Sequence, residues 1–353
     1  MTSRARWFRA AYILTWLVAL SGIAAELLLV LKRRDTPDEE SYTARNVFDR
    51  SRAMNEGRDA SLWEIPEEKY RSGARLTLQV DGQPYEIVIN RHGFRDRDVS
   101  LQKPAGVFRA VCIGGSTTVQ GHTNAQTYPA LLQKLLDPLP DGRRVEVLNL
   151  GINGTGSDFW LRSRERTERL FSFEPDLVIQ YAFVNDFFWK HVPWYARQHP
   201  LRRTAYRSLL LARLWPLPAE AFDSRFQGTL SRFRQIAEEA RTRGAGYLAV
   251  PFVGPDPTLA DESFRRYLDR NTEQWGHPLR LRYYDDYYRV LTRYREFFDA
   301  FARKPDIDTV VLPARTHDPS LFTDLCHMTP EGIAELAAGI APAVRRIAAE
   351  SGG

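Results

Sequence analysis

"VCIGGSTT" (residues 111–118) decides how this chain is read, because an apolar run ends there abruptly in two glycines, a serine and two threonines. A strand that delivers a serine onto a turn of small residues holds the hydroxyl exposed at a sheet edge, with backbone N–H groups aimed at the same spot. A nucleophilic serine needs that placement. Taken alone, the stretch reads better as a tight turn followed by a helix cap. The partners of Ser116 therefore decide the matter.

The surroundings supply the architecture. From residue 107 onward, short apolar strands alternate with helical stretches: "VFRAVCIGG", then "TYPALLQKLLDPL", "RVEVLNLG", "SDFWLRSRERTERLFSF" and "DLVIQYAFVND". A helix over residues 228–243, the strand "GYLAVPFV", a helix around 284–303, the strand "IDTVVLP" and a final helix follow. This order predicts an α/β domain with a central parallel sheet covered on both faces and a ligand site outside the carboxyl ends of its strands. Ahead of it, "RLTLQVDGQPYEIVIN" (75–90) alternates apolar and polar residues around Asp81-Gly82, as a β-hairpin does. Residues 187–227 interrupt the alternation with an insertion rich in aromatics and arginine.

A serine hydroxyl needs a base, and the base needs an orienting group. "DLCHMTPEG" supplies Asp324 and His327 three residues apart, just before a helix whose cap is Thr329 with Pro330 in its first turn. The other six histidines lack this carboxylate spacing and this position after the last strand. Oxyanion donors are expected at two further strand ends, the backbone N–H of Gly151 and the side-chain NH₂ of Asn185. Each is, taken singly, equally a turn or loop-capping residue.

The ordered set Ser116, Gly151, Asn185 and Asp324/His327 resembles the SGNH hydrolases, the GDSL esterase and lipase superfamily, over about residues 90–349. The resemblance implies a flavodoxin-like three-layer sandwich and a serine esterase. In it Ser116 is the nucleophile and an oxyanion donor through its own N–H, Gly151 and Asn185 are the other donors, His327 is the base and Asp324 its orienting carboxylate. "NRHGFRDRD", "GGSTT" and "LNLGINGTG" look most like the bacterial branch associated with surface polysaccharides. Two departures stand out. Gly114-Gly115-Ser116 replaces the usual Gly-Asp-Ser, and Phe183-Val184-Asn185-Asp186 puts phenylalanine where the third block usually has glycine.

The N-terminus adds a membrane. "AAYILTWLVALSGIAAELLLVL" (residues 10–31) has spanning length and is broken only by Glu26. It continues into "ELLLVLKRR" without a small-residue cleavage site, so it is read as a retained transmembrane signal anchor rather than a cleavable signal peptide. Residues 1–9 form a short basic N-terminus, 32–74 a polar tether and 75–349 the hydrolase domain. Arg4, Arg6 and Arg9 before the span balance Lys32, Arg33 and Arg34 after it, so charge sets no orientation. A glycan substrate outside the cytoplasmic membrane places residues 35–353 outward.

Other chemistries fit less well. The net charge of +5 comes from arginines spread over many segments, which argues against nucleic acid. Only Cys112 and Cys326 are present, too few for a disulfide framework or a four-cysteine zinc site. An extended strand puts Cys112 about 13 Å from Ser116, so both cysteines are expected as buried thiols rather than a redox clip. "GINGTG" has its glycines in the wrong order for a dinucleotide loop, and "GGSTT" lacks a P-loop lysine. No metal or organic cofactor is implied. Phe187, Phe188, Trp189, Trp194 and Tyr195 read as a hydrophobic cluster over the insertion, with a sugar-stacking wall as the alternative.

The expected reaction is removal of an O-acetyl or other acyl group from a cell-envelope or secreted glycan, or from a small ester. An O-acyltransferase using the same triad and a non-catalytic glycan-binding or export-scaffold domain are the alternatives.

Overall fold

The structure, a computed structural model, describes residues 3–34, 63–64, 69–80, 83–188, 208–216, 218–275 and 281–351. Five parallel strands form the central sheet: β5 (Val107–Gly114), β6 (Arg144–Asn149), β7 (Leu177–Tyr181), β8 (Gly246–Ala249) and β9 (Asp308–Thr309), after four shorter or hairpin strands β1–β4. Their order is β6-β5-β7-β8-β9. Counted within the domain this is 2-1-3-4-5, the flavodoxin-like order, whose switch point lies between the first and third strands. Ser116 follows the first of them, β5, at that crevice.

The strands are apolar on both faces because both are covered. β5 is buried from Phe108 to Ile113 and β7 throughout. Helices α3 (Tyr128–Leu136) and α10 (Pro330–Glu350) pack together on one face, while α7 (Asp223–Thr242) and α9 (Tyr284–Ala302) pack together on the other. The expected final-helix cap is present: the Thr329 side chain accepts from Gly332 N–H, and Pro330 opens the helix. The hairpin is formed by β3 (Arg75–Val80) and β4 (Gln83–Val88), while its expected turn at Asp81-Gly82 lies outside the described residues.

Several elements differ from the sequence reading. "IDTVVLP" narrows to the two residues of β9, which pair only with Leu248 and Ala249. α7 starts at Asp223, inside the expected insertion, where Phe222 and Phe226 are already buried. The sequence reading passes over α8 (Glu262–Trp275) entirely, because its charged residues hide the stripe of Phe264, Tyr267, Leu268 and Asn271 that is buried. The stretch assigned to the tether contains β1 (Trp63–Glu64) and β2 (Lys69–Tyr70), paired antiparallel. Tyr70 is buried there, and its hydroxyl accepts from Asn153 N–H at 3.0 Å.

The N-terminal helix α1 runs from Ser3 to Arg34, and its segment Ala10–Lys32 is long and apolar enough to cross a membrane.

Candidate active site

The two glycines before Ser116 are there because neighbouring atoms leave no room for a side chain. A Cβ on Gly114 would stand 2.2 Å from the Tyr181 carbonyl oxygen, and one on Gly115 would stand 2.5 Å from Asn185 Nδ2 and 2.7 Å from the Thr155 carbonyl oxygen. Gly115 therefore cannot be exchanged for the more usual aspartate without moving the asparagine. Ser116 opens the four-residue helix α2 (Ser116–Val119), sunk at the sheet edge with only 5% of its surface exposed.

Asn185 sits in the first turn of α5 (Val184–Phe188), not at the end of a strand as expected. Its Nδ2 donates to the Thr155 carbonyl at 2.8 Å, which uses one of its two amide hydrogens and leaves the second beside Gly115. Asp186 fastens the facing loop: its carboxylate accepts from Ser157 N–H and Ser157 Oγ, both at 2.9 Å, and pairs with Arg232. Phe183 turns its ring into the core and stacks on Tyr294 with centroids 4.1 Å apart. The bulk that replaces glycine is thus absorbed on the side away from the asparagine amide.

Gly151 has another partner: its N–H donates to Asn149 Oδ1 at 3.1 Å. A Cβ at Gly151 would lie 2.8 Å from Thr118 Cβ, so the glycine lets the β6 end pack on α2. Along the rest of this turn, Ile152 donates to Gly114, Asn153 to Tyr70, Thr155 to Ile152 and Ser157 to Asp186. The N–H of exposed Gly154, at φ +75°, meets no hydrogen-bond acceptor among the described residues.

The base loop is built by Asp324. One carboxylate oxygen accepts from the N–H groups of Cys326 (2.8 Å) and His327 (2.7 Å), and the other lies 2.7 Å from His327 Nδ1. Both residues are buried. Burial opposes the charge on Asp324, but the imidazole and these donors prevail and hold it below the ordinary carboxylate range. Gln120, missed by sequence reasoning, ties this loop to the nucleophile. Its Oε1 accepts from Met328 N–H at 2.7 Å and its Nε2 donates to the Thr117 carbonyl at 2.9 Å. Arg95 of the "NRHGFRDRD" turn, also buried, donates to the carbonyls of Val119 and Gly121 at the far end of α2. No position in the sequence marks either residue, because each acts through a contact distant along the chain.

These contacts bring Ser116, Asn185, Asp324 and His327 to one end of the sheet. A family model, the GDSL-like lipase/acylhydrolase family, matches residues 112–335. The chain belongs to that family. It is an ester hydrolase with the SGNH hydrolase fold. Among solved structures it is similar to a GDSL-like lipase from Bacteroides thetaiotaomicron, at 17% identity over 70% of this chain and 92% of that one, with a TM-score of 0.38. It is also similar to a catalytic mutant of an acetylxylan esterase from Geobacillus stearothermophilus, at 14% identity over 67% and 94%, with a TM-score of 0.42. No curated protein sequence matches the chain.

The remaining sequence expectations divide. Cys112 and Cys326 are free and buried. Asp324, Cys326 and His327 hold potential metal-ligand atoms within 4.8 Å of one another, but a metal there would have to break the Asp324–His327 pair. Phe187 packs in the core against Phe222 and Tyr287. Trp189, Trp194 and Tyr195 lie outside the described residues, as does the Phe188 side chain.

Proposed function

We propose that Ser116, His327 and Asp324 form the catalytic triad of this esterase, acting on acyl groups carried by a cell-envelope or secreted glycan. The observation that supports the triad most directly is the buried Asp324–His327 pair, tied through Gln120 to the helix that carries Ser116. Ser116 Oγ attacks the ester carbonyl carbon while His327 takes its proton. The oxyanion receives hydrogen bonds from Ser116 N–H and Asn185 Nδ2. Gly151 N–H is the remaining expected donor; it is given to Asn149 Oδ1 at 3.1 Å in this structure and joins the oxyanion hole only when that bond opens. His327 returns the proton to the departing alcohol, and the acyl-enzyme is then opened by water that His327 deprotonates.

The glycan assignment is supported by the resemblance of the sequence blocks and by the apolar segment Ala10–Lys32, read as a single-pass signal anchor with residues 35–353 outside the cytoplasm. The hydrolase domain then comprises residues 75–349 together with the packed Tyr70. Labelling with a fluorophosphonate, mapped by peptide mass, tests the chemistry: modification at Ser116 and its loss in Ser116→Ala are expected, and an unreactive wild-type protein would remove the triad. Acetate release from an acetylated glycan, with and without a second glycan as acceptor, separates hydrolysis from acyl transfer. A C-terminal reporter active only after export tests the orientation.

A further inference from the structure

The one charged residue within the apolar run, Glu26, is not facing solvent or lipid alone. Its carboxylate accepts from Ser208 Oγ at 2.7 Å and from the N–H groups of Leu209 and Leu210, both at 2.8 Å. Those groups begin α6 (Leu209–Leu214), a helix from the insertion more than 180 residues away in sequence. An ionisable side chain inside a span is costly unless it is paired, and free N–H groups at a helix start are costly in hydrocarbon for the same reason. Here each satisfies the other.

The depth of this contact follows from helix geometry. Glu26 lies six residues before Lys32, the last residue of the apolar segment, which is about 9 Å at 1.5 Å per residue. The start of α6 is therefore level with the hydrocarbon, not with the water beyond it. Four residues on, Arg213 lines a cavity of about 590 Å³ together with Leu29 and Lys32 of α1, so α6 runs alongside α1 toward the end of the span. Lys32 is paired there with Glu262 at 3.0 Å, and Arg265 and Arg266 line the same cavity. Charged groups thus begin where the apolar segment ends.

The other face of α6 is apolar and exposed. Leu209 and Ala212 are buried against the protein, while Leu211 is 45%, Leu214 70% and Trp215 43% exposed. Leu259 is exposed beside the cavity-lining residues Pro257 and Ala260. A leucine face with a tryptophan at its end and arginines at the polar boundary is the pattern of a segment seated at a membrane interface.

We propose that α6 is a second membrane contact, seated in the leaflet next to the catalytic domain with Leu211 and Leu214 against lipid, and that Glu26 holds it there. The inference rests on Ala10–Lys32 spanning the bilayer. It means that the domain does not swing on a free tether but is held with its insertion against the membrane.

The test uses the full chain in phosphatidylcholine/phosphatidylglycerol vesicles, with a nitroxide on Leu214→Cys and, separately, on Leu20→Cys in α1 and Leu135→Cys on α3. The two native cysteines are buried, which directs labelling to the new site. Collisions with oxygen, which concentrates in lipid, are compared with collisions with a water-soluble nickel chelate. The Leu214→Cys label is expected to favour oxygen, as the Leu20→Cys label does, while the Leu135→Cys label favours the chelate. If Leu214→Cys favours the chelate and Leu20→Cys oxygen, the span stands and the second contact is wrong. If both favour the chelate, the span itself fails and the proposal with it. Exclusion of both reagents at Leu214→Cys means that protein, such as a second copy, covers the face, and also overturns it. In Glu26→Ala, shown by a cooperative thermal transition to be folded, the Leu214→Cys label is expected to lose its oxygen preference; an unchanged preference removes the role given to Glu26.

Discussion

Asp324 and His327 are joined twice: one carboxylate oxygen lies 2.7 Å from the imidazole Nδ1 and the other accepts His327's own backbone N–H, also at 2.7 Å. The first bond sets the tautomer, with the proton on Nδ1 and Nε2 as the accepting nitrogen. The second fixes the loop on which the ring is carried. Asp324→Asn retains an acceptor for the loop but offers an NH₂ to the ring, which reverses the tautomer. Turnover is expected to fall by on the order of 10⁴-fold with the fold intact. A variant that keeps near-wild-type kcat would show that another carboxylate orients the base.

Asn185 and Phe183 sit two residues apart and should fail in different ways. Asn185→Ala removes a proposed oxyanion donor and is expected to lower kcat by about 10²–10³-fold, with a stability loss limited to about 1–3 kcal/mol for the Thr155 carbonyl that loses its donor. Phe183→Ala empties the ring stacked on Tyr294 and should cost about 3–5 kcal/mol of stability, with a smaller effect on kcat below its melting temperature. Paired unfolding and kinetic measurements read both. Equal kinetic losses would mean that the aromatic cluster, not the amide, controls the site.

Gln120→Ala leaves the Met328 N–H buried without its acceptor, at a cost of about 1–3 kcal/mol. The base loop then loses its tie to α2. A displacement of an ångström at the base costs on the order of 10²-fold, so kcat should drop more than KM rises. If Gln120→Ala melts earlier yet turns over normally, the tie is structural alone.

Asp96 gives the protein a pH dependence separate from catalysis. Burial pushes its carboxyl up to about 6, against the opposing pull of Arg97 and of the Asn149 N–H that it accepts at 2.7 Å. A folded-state value above the ordinary ~4 means that its stabilising contribution is full below ~4 and is lost as pH rises through about 6. Asp96→Asn keeps an acceptor for Asn149 and never ionises. Its melting temperature should therefore lose less than wild type between pH 4 and 7. Parallel profiles would show that Asp96 does not titrate in that window.

What the sequence by itself determined is local or periodic. Alternating apolar runs and helical stretches specified the α/β class, since the burial of β5 to β8 and the stripes of the helices other than α8 are written in their own residues. Ser116 after two glycines, Asp324 three residues before His327, and Thr329-Pro330 at the start of α10 are likewise short-range patterns whose geometry follows from the backbone. The tertiary structure alone decided what depends on residues distant along the chain. Gln120 and Arg95 brace α2, and Phe183 is absorbed by Tyr294. Glu26 breaks an apolar run in the sequence, and only the packing of α6 against it supplies its partners. A hydrogen-bond partner more than a hundred residues away leaves no periodicity in the sequence, because it is chosen by which surfaces the packed sheet and helices bring together.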